Sequence, residues 1–224
     1  ENIDAEYVNF PMEEVEGLRD FVRDNPHLAG FNVTIPHKQA VITLLDDLSI
    51  AAHEIGAVNV VKVVREEGDF RLMGYNTDHL GFAESLRPLL THDVRRALVL
   101  GTGGASRAVV YALKRMDIVP QLVSRRKREG ILAYGEIDVP LLRDFPLVVN
   151  CTPLGMFPKV DAAPPIPYEY LSASNILYDL VYNPDDTKFM RLGRSYGAKT
   201  KNGLEMLHLQ AEAAWNIWKS EEIL

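Results

Sequence analysis

Two kinds of hydrophobic pattern alternate along the first ninety residues. Strand-like runs, rich in β-branched and aromatic residues, lie at residues 5–10, 30–35, 57–65 and 70–75. Apolar residues recur at helical spacing at residues 12–23, 37–45 and 78–90. A strand buries alternate residues and a helix every third or fourth, so the pattern predicts alternating strands and helices. The short gap between the last two strand-like runs predicts a β-hairpin.

The middle of the chain changes to the pattern of a parallel sheet. Polar residues bound the short apolar runs at residues 98–100, 121–123, 147–150 and 176–180, as is typical of inner strands. A helical run at residues 106–116 separates the first two and predicts a right-handed βαβ unit. Glycine and proline interrupt residues 124–146, and we expect no full crossover helix there.

The last predicted helix has the most regular apolar stripe. The stripe consists of Leu204, Leu207, Ala211, Trp215 and Trp218. Such a stripe needs a surface to cover, and we expect the first part of the chain to supply it. The sequence therefore predicts an α/β fold of two units. One is a Rossmann-like parallel sheet, and the other is a smaller α/β unit completed by the C-terminal helix.

A glycine-rich turn follows the first strand of the predicted parallel sheet. The run from Ala97 to Arg107 reads Ala-Leu-Val-Leu-Gly-Thr-Gly-Gly-Ala-Ser-Arg. Gly101 permits a tight turn and Gly103 lets a phosphate approach the backbone, where the next helix presents unpaired N–H groups. The third glycine of the usual fingerprint is replaced by Ser106. The turn predicts a dinucleotide site, although glycine also serves many ordinary turns.

A basic run stands where a dinucleotide's adenosine ribose is usually bound. About 20 residues after the glycines, the sequence reads Ser-Arg-Arg-Lys-Arg at residues 124–128. NAD-binding proteins carry an acidic residue at this place, whereas arginines there would attract a 2′-phosphate. The run favours NADP over NAD, and the alternative interpretation is a solvated basic turn.

Composition narrows the class of protein. The chain has 24 Lys and Arg against 31 Asp and Glu, giving a net charge of −7, which argues against nucleic-acid binding. The single cysteine, Cys151, excludes an internal disulfide, and no metal-ligand cluster is evident. No apolar run is of bilayer-spanning length and no signal peptide opens the sequence. We expect a cytoplasmic protein, either a monomer or a homodimer, without metal or membrane partners.

Polar motifs end several strand-like segments, where open α/β sheets bind ligands. Taken singly, Lys38 is compatible with a surface lysine, Asn59 with a turn residue and Asp78 with a helix N-cap. Together the motifs resemble the shikimate dehydrogenase family over nearly the whole chain. They are GFNVTIPHK at residues 30–38, GAVN at 56–59, NTD at 76–78, GTGG at 101–104, NCTPLGM at 150–156, YDLVYNP at 178–184 and NGLEM at 202–206.

The resemblance implies a role for each matching position. Lys38 and Asp78 are the implied catalytic pair, which flanks the reacting hydroxyl. The implied substrate-binding residues are Thr34, Asn59, Tyr182 and Gln210. The implied cofactor-binding residues are Gly101, Thr102, Gly103, Gly104, Ala105, Ser124, Arg125, Arg126, Thr152, Leu180 and Gly203.

The resemblance also implies a division of the chain and a reaction. Residues 1–79 and 204–224 would form the substrate-binding unit, and residues 80–203 the dinucleotide-binding unit. The implied activity is NADP-dependent, reversible oxidation of shikimate to 3-dehydroshikimate, in the pathway to chorismate and the aromatic amino acids. A lysine is cationic at neutral pH and so is a natural acid for the reductive direction.

Departures from the family pattern leave alternatives open. Members begin with a strand, a Ser-x-Ser-Pro loop that holds the substrate carboxylate, and a helix; we expect this sequence to lack that segment. Glu129 lies near a position where many NADP-dependent members have arginine. One alternative is therefore a quinate/shikimate dehydrogenase that uses NAD. The other, expected if the sequence is complete as given, is a non-catalytic dinucleotide-binding protein.

Overall fold

The computed structural model describes residues 4–66 and 68–220. Its α-helices are α1 (Leu18–Asp24), α2 (Ile50–Ile55), α3 (Asp78–Leu86), α4 (Gly104–Arg115), α5 (Val139–Asp144), α6 (Lys188–Ser195) and α7 (Leu204–Lys219). Its strands are β1 (Gly30–Asn32), β2 (Asp47–Leu48), β3 (Val60–Glu66), β4 (Asp69–Tyr75), β5 (Arg96–Leu100), β6 (Val119–Ser124), β7 (Ile131–Ala133), β8 (Leu147–Asn150), β9 (Ile176–Asp179) and β10 (Lys199–Lys201). Short 3-10 helices lie at Ala40–Leu44, Arg87–Leu89, Tyr134–Glu136 and Tyr168–Tyr170.

The first four strands form a mixed sheet in the order β1-β3-β4-β2. β3 and β4 make the predicted antiparallel hairpin, with Val60 opposite Tyr75 and Glu66 opposite Asp69. β1 is antiparallel to β3, and β2 is parallel to β4. Apolar side chains from this sheet, α1, α2 and the 3-10 helix Ala40–Leu44 form one core, which includes Leu18, Val22, Val41, Ala52, Val61 and Leu72.

The remaining strands form a parallel sheet in the order β10-β9-β8-β5-β6-β7. Successive residues of a strand face opposite sides of a sheet, and both sides are buried here. Ala97 and Val99 pack on the side covered by α3, α4 and α7, whereas Leu98 and Leu100 pack on the side covered by α5 and α6. The predicted Rossmann-like sheet is therefore confirmed.

Helix α7 connects the two sheets. An added Cβ on Gly81 of α3 would lie 2.6 Å from the Met206 carbonyl oxygen of α7, so the two helices touch backbone to backbone. At the other end of α7, the Trp218 indole N–H donates a 3.0 Å hydrogen bond to the Val61 carbonyl of β3. The predicted C-terminal helix is confirmed, and it completes the unit that contains the smaller sheet.

The segment before α1 differs from the sequence prediction. Residues 5–10 do not form the predicted strand. They have no neighbouring strand in the described chain to pair with, and Tyr7, Val8 and Phe10 are exposed. The helix predicted at residues 12–23 is confined to α1. Three glutamates and Gly17 precede α1, and mutual repulsion together with the low helix propensity of glycine disfavours an earlier start.

Two other segments also depart from the predicted pattern. Residues 37–45 form a turn and the 3-10 helix Ala40–Leu44 rather than an α-helix, in keeping with the β-branched Val41, Ile42 and Thr43. Residues 124–146 contain no long crossover helix, as predicted, but they add the unpredicted strand β7 and the short helix α5. No helix within the described ranges has the length and apolarity needed to cross a membrane.

Candidate active site

A cavity of about 840 Å³ separates the two sheets, and both units line it. The predicted residues that line it are Thr34, Lys38, Asn59, Asp78, Ala105, Thr152, Leu180, Tyr182, Gly203 and Gln210. They come from segments far apart in sequence, and the fold brings them together at the ends of β1, β5, β8 and β9. The predicted residues at 101–104 and 124–126 are not part of this lining.

An ion pair stands at the centre of the cavity wall. Lys38 Nζ lies 2.6 Å from Asp78 Oδ2, and the two side chains are 17% and 8% exposed. Lys38 lies in the turn that follows β1. Its backbone carbonyl oxygen accepts a 2.7 Å hydrogen bond from the Val58 N–H. Asp78 is the first residue of α3, where the helix dipole favours a carboxylate. The pair is thus held on a rigid backbone and keeps an opening to the cavity.

A network of neutral side chains fixes the second oxygen of Asp78. Asn59 Nδ2 donates to Asp78 Oδ1 at 3.0 Å and lies within hydrogen-bond distance of Thr77 Oγ1 and Gln210 Oε1. The Asn59 amide is oriented by the Thr77 backbone N–H, which donates to its Oδ1 at 2.7 Å. Both carboxylate oxygens of Asp78 therefore have a donor, which holds Asp78 in one orientation toward Lys38.

The glycine turn lies directly beside this pair. Gly101 has a φ of 112°, a conformation that suits glycine, and an added Cβ on Gly104 would lie 3.6 Å from the Cβ of Lys38. An added Cβ on Gly103 would meet nothing within 4 Å, so the first turn of α4 is open to a ligand. Ser106 stands at the position of the third glycine of the fingerprint. Its hydroxyl donates a 2.7 Å hydrogen bond to the Gly103 carbonyl oxygen.

The basic run follows β6 and leads to β7, the edge strand of the larger sheet. The Ser124 hydroxyl donates to the Arg126 carbonyl at 2.6 Å and shapes the turn. Lys127 forms an ion pair with Glu136, and the pKa of Glu136 is lowered by hydrogen bonds from the Ala133 N–H and Lys127. No acidic side chain of the described chain pairs with Arg125, Arg126 or Arg128, so these guanidinium groups remain available to an anion.

A buried carboxylate organises the loops opposite the ion pair. Asp179 ends β9 and accepts hydrogen bonds from Asn150 Nδ2 at 2.9 Å, the Val181 N–H at 3.1 Å and Thr187 Oγ1 at 2.7 Å. Burial raises the pKa of Asp179 to about 6, although the three hydrogen bonds lower it in part. Asn150 in turn accepts hydrogen bonds from the Thr152 N–H and hydroxyl, at 3.0 and 2.6 Å.

Three further residues line the cavity: Cys151, Tyr182 and Gly203. Burial raises the pKa of the Cys151 thiol, which favours its protonated form at neutral pH. Tyr182 stands at the cavity mouth and is about half exposed. An added Cβ on Gly203 would collide with the Leu180 carbonyl, so only glycine allows α7 to begin this close to the end of β9.

Comparison with known proteins identifies the family. Residues 1–61 match the family model described as the shikimate dehydrogenase substrate binding domain. Relatives named shikimate dehydrogenase (NADP(+)), from Methanococcus maripaludis and Caldicellulosiruptor saccharolyticus, are 34% and 35% identical over 96% of this chain and 82% of their own lengths. The chain belongs to the shikimate dehydrogenase family.

A solved structure of the shikimate dehydrogenase family supports the same assignment. Shikimate 5-dehydrogenase from Thermus thermophilus, crystallised in complex with NADP(H) and shikimate, is 35% identical to this chain. The structures superpose with a TM-score of 0.79 over 94% of this chain and 79% of that chain. The resemblance identified from the sequence motifs is confirmed.

Some residues of the site were not identified from the sequence. Thr77 lies inside the motif Asn-Thr-Asp, but the family resemblance drew attention only to its aspartate. Tyr7 lines the cavity and its hydroxyl donates a 2.9 Å hydrogen bond to Asn32 Oδ1, a contact without a motif. Asp179 was part of a recognised motif, but its three hydrogen bonds depend on the meeting of β8, β9 and α6.

Proposed function

We propose that this member of the shikimate dehydrogenase family catalyses the reversible, NADP-dependent oxidation of shikimate to 3-dehydroshikimate. The observation that carries the proposal is the Lys38–Asp78 pair, which lies beside the glycine turn and opens into the cavity. The names of the relatives and the ligands of the Thermus thermophilus structure agree with this activity. Such an enzyme serves the pathway to chorismate and the aromatic amino acids.

Two features of the larger sheet fit a dinucleotide that carries a 2′-phosphate. The space around Gly103 is open where a pyrophosphate would approach the N–H groups of α4, and Gly101 to Ala105 form that turn. Arg125 and Arg126 follow Ser124, form no ion pair with another described residue, and would hold the 2′-phosphate. Thr152, Leu180 and Gly203 would border the nicotinamide side. When bound, NADP(H) supplies the hydride chemistry.

The residues of the smaller unit supply binding and proton transfer. Thr34, Asn59, Tyr182 and Gln210 line the cavity with hydroxyl and amide groups that suit a polyhydroxylated ring. In the reductive direction the Lys38 ammonium gives a proton to the oxygen of the forming alcohol, and in the oxidative direction neutral Lys38 takes it back. Asp78 orients Lys38 and neutralises its charge through their 2.6 Å contact.

The proposed division of labour follows the two sheets. Residues 1–79 with 204–224 form the substrate-binding unit and residues 80–203 the dinucleotide-binding unit; residues 1–3 and 221–224 lie outside the described residues. The four-stranded sheet, α7 and the family-model match over residues 1–61 support the first unit. We further propose a cytoplasmic monomer or homodimer without nucleic-acid partners, in keeping with one cysteine and a net charge of −7.

A substrate and cofactor matrix tests the proposal. Purified protein is offered shikimate or quinate with NADP⁺ or NAD⁺, and reduction of the nicotinamide is followed by absorbance. We expect the highest kcat/KM with shikimate and NADP⁺. Preference for NAD⁺ and quinate would instead identify a quinate/shikimate dehydrogenase. NADPH binding without turnover on either substrate would identify a non-catalytic dinucleotide-binding protein.

A further inference from the structure

Asp179 is a buried acid that the proposed chemistry does not use. It is wholly inaccessible to solvent, and no cationic side chain of the described chain forms an ion pair with it. Its partners are instead neutral donors on three different segments: Asn150, Val181 and Thr187. A buried carboxylate is costly when it lacks a cation, so its presence calls for a role beyond filling space.

The first hydrogen bond reaches the glycine turn through Asn150. Asp179 Oδ1 accepts a hydrogen bond from Asn150 Nδ2. The side-chain oxygen of Asn150, Oδ1, must therefore face the other way, toward Thr152. The Thr152 methyl group is then placed 3.2 Å from the position of a Cβ on Gly101. Asp179 thereby determines which atom of the Asn150 amide organises the loop at residues 150–156.

The other hydrogen bonds fix the segment that follows β9. The Val181 N–H donates to Asp179 Oδ1, which turns the chain immediately after Leu180. The Thr187 hydroxyl donates to Asp179 Oδ2 and accepts a 3.3 Å hydrogen bond from the Met190 N–H. The same hydroxyl therefore caps α6 and holds Asp179. Leu180, Val181 and Tyr182 line the cavity, and their backbone path therefore depends on the carboxylate.

We propose that Asp179 is a positioning residue that sets the two loops, residues 150–156 and 180–187, on the cofactor side of the cavity. This inference rests on the proposed function, because these loops would place the nicotinamide ring against the substrate held at Lys38. A fully satisfied buried network of this kind specifies a single arrangement. The carboxylate accepts from all three segments at once, whereas an amide at the same place has only one accepting oxygen.

The replacement Asp179→Asn tests the role with little change in volume. With its Oδ1 still accepting from Asn150 and Val181, its NH₂ group faces Thr187, whose hydroxyl must then accept from this amide instead of donating, while it also accepts the Met190 N–H. The anchor of residues 180–187 is therefore weakened. The sites for pyrophosphate and 2′-phosphate lie at Gly101–Ala105 and Arg125–Arg126, away from the exchanged atom. We expect kcat per cofactor-binding site to fall about 10- to 100-fold. The dissociation constant for NADPH should stay within about threefold, because phosphate contacts dominate that affinity.

Three measurements distinguish positioning from loss of fold. NADPH titration counts folded sites, steady-state assays give kcat and KM, and emission of bound NADPH reports the surroundings of the nicotinamide. Asp138→Asn is the matched control, because Asp138 caps α5 by accepting the Leu141 N–H at 2.9 Å and lies outside the cavity lining. If Asp179→Asn does not fold, Thr187→Val removes one donor, and Thr187→Ser should restore turnover by returning it.

Each outcome decides the inference. A fall in kcat per site together with altered emission of bound NADPH supports it. Unchanged kcat and unchanged emission in Asp179→Asn overturn it, as does an equal loss in Asp138→Asn. If the original protein binds NADPH but does not oxidise shikimate, the proposed function fails. The emission comparison then still decides whether Asp179 sets the nicotinamide side of the cavity.

Discussion

Lys38 and Asp78 meet across 40 residues of sequence, and their contact lies in the cavity wall where we propose that the reaction takes place. The lysine comes from the turn after β1 and the aspartate from the start of α3. Asn59 and Thr77 complete the arrangement from one side, and the glycine turn closes it from the other. The proposed sites of proton transfer and of dinucleotide binding are therefore adjacent but use different residues.

Replacement of Lys38 separates these two tasks. In Lys38→Met the proton donor is lost, whereas the glycine turn and Arg125–Arg126 remain. We expect kcat to fall by about 10²- to 10⁴-fold, the range of general acid–base catalysis, with the NADPH dissociation constant nearly unchanged. Stopped-flow turnover and fluorescence titration measure the two quantities. Lys114→Met, at an exposed position of α4, is the control and should retain activity.

The arginines after β6 are proposed to determine the preference for the phosphorylated cofactor. Arg125→Gln or Arg126→Gln removes one charged contact to the 2′-phosphate, and such hydrogen bonds contribute about 1.5–3 kcal/mol. We expect KM for NADP⁺ to rise about 10- to 100-fold while KM for NAD⁺ changes little. Lys127→Gln is the matched control, because Lys127 already pairs with Glu136. Equal effects of all three replacements on NADP⁺ would contradict a specific phosphate site.

At the scale of the elements, the contact between α3 and α7 determines where Gln210 lies. Alanine normally favours a helix over glycine by about 1 kcal/mol, but a Cβ at Gly81 would lie 2.6 Å from the Met206 carbonyl and 3.0 Å from the Gln210 N–H nitrogen. We expect Gly81→Ala to destabilise the protein by about 1–3 kcal/mol and to lower turnover. Urea unfolding measures the first effect.

Gly17→Ala provides the comparison for that experiment. Nothing lies within 4 Å of a Cβ at Gly17, at the start of α1. Because Gly17 is the N-cap of α1, where alanine is less favourable than glycine, the free energy of unfolding of Gly17→Ala should fall by no more than about 1 kcal/mol. A stabilised Gly81→Ala variant would show that the two helices separate without loss, which contradicts the close contact.

The elements also show which parts of the fold follow from sequence. The β3–β4 hairpin, the βαβ unit and α7 were predicted because each carries its own period of apolar residues. Residues 5–10 have the composition of a strand, but strand formation depends on a neighbour that composition does not reveal. Lys38 and Asp78 were identified through motifs. Thr77 and Asp179 required coordinates, since hydrogen bonds between distant segments leave no local pattern.

At the scale of the whole molecule, Asp179 links global stability to pH. Burial raises its pKa from 3.8 to about 6, so the folded state binds more protons than the unfolded state between these values. The contribution of Asp179 to stability is therefore lost as pH rises through this range, and it amounts to about 3 kcal/mol in total. Cys151 and Tyr168 face Asp179 and stay neutral throughout, because burial raises the pKa of each.

The variant Asp179→Asn does not titrate and should lack this dependence. The difference in free energy of unfolding between the variant and the original protein should shift toward the variant by about 3 kcal/mol from pH 4 to pH 7. Denaturant unfolding at closely spaced pH values measures it, with Asp138→Asn as the reference. A difference that does not vary with pH would show that Asp179 titrates normally in the folded chain.

The backbone contact between α3 and α7 brings together the two places where the chain passes between the sheets. The polypeptide leaves the four-stranded sheet through α3 and returns to it through α7, and these two passages are neighbours in space. Everything from β5 to β10 lies between them. The six-stranded sheet thus lies within one connection of the four-stranded sheet, and the two ends of that insertion are close together, as insertions of this kind require. To replace the segment from β5 to β10 by another, the chain would have to be rejoined at only two points, after α3 and before α7.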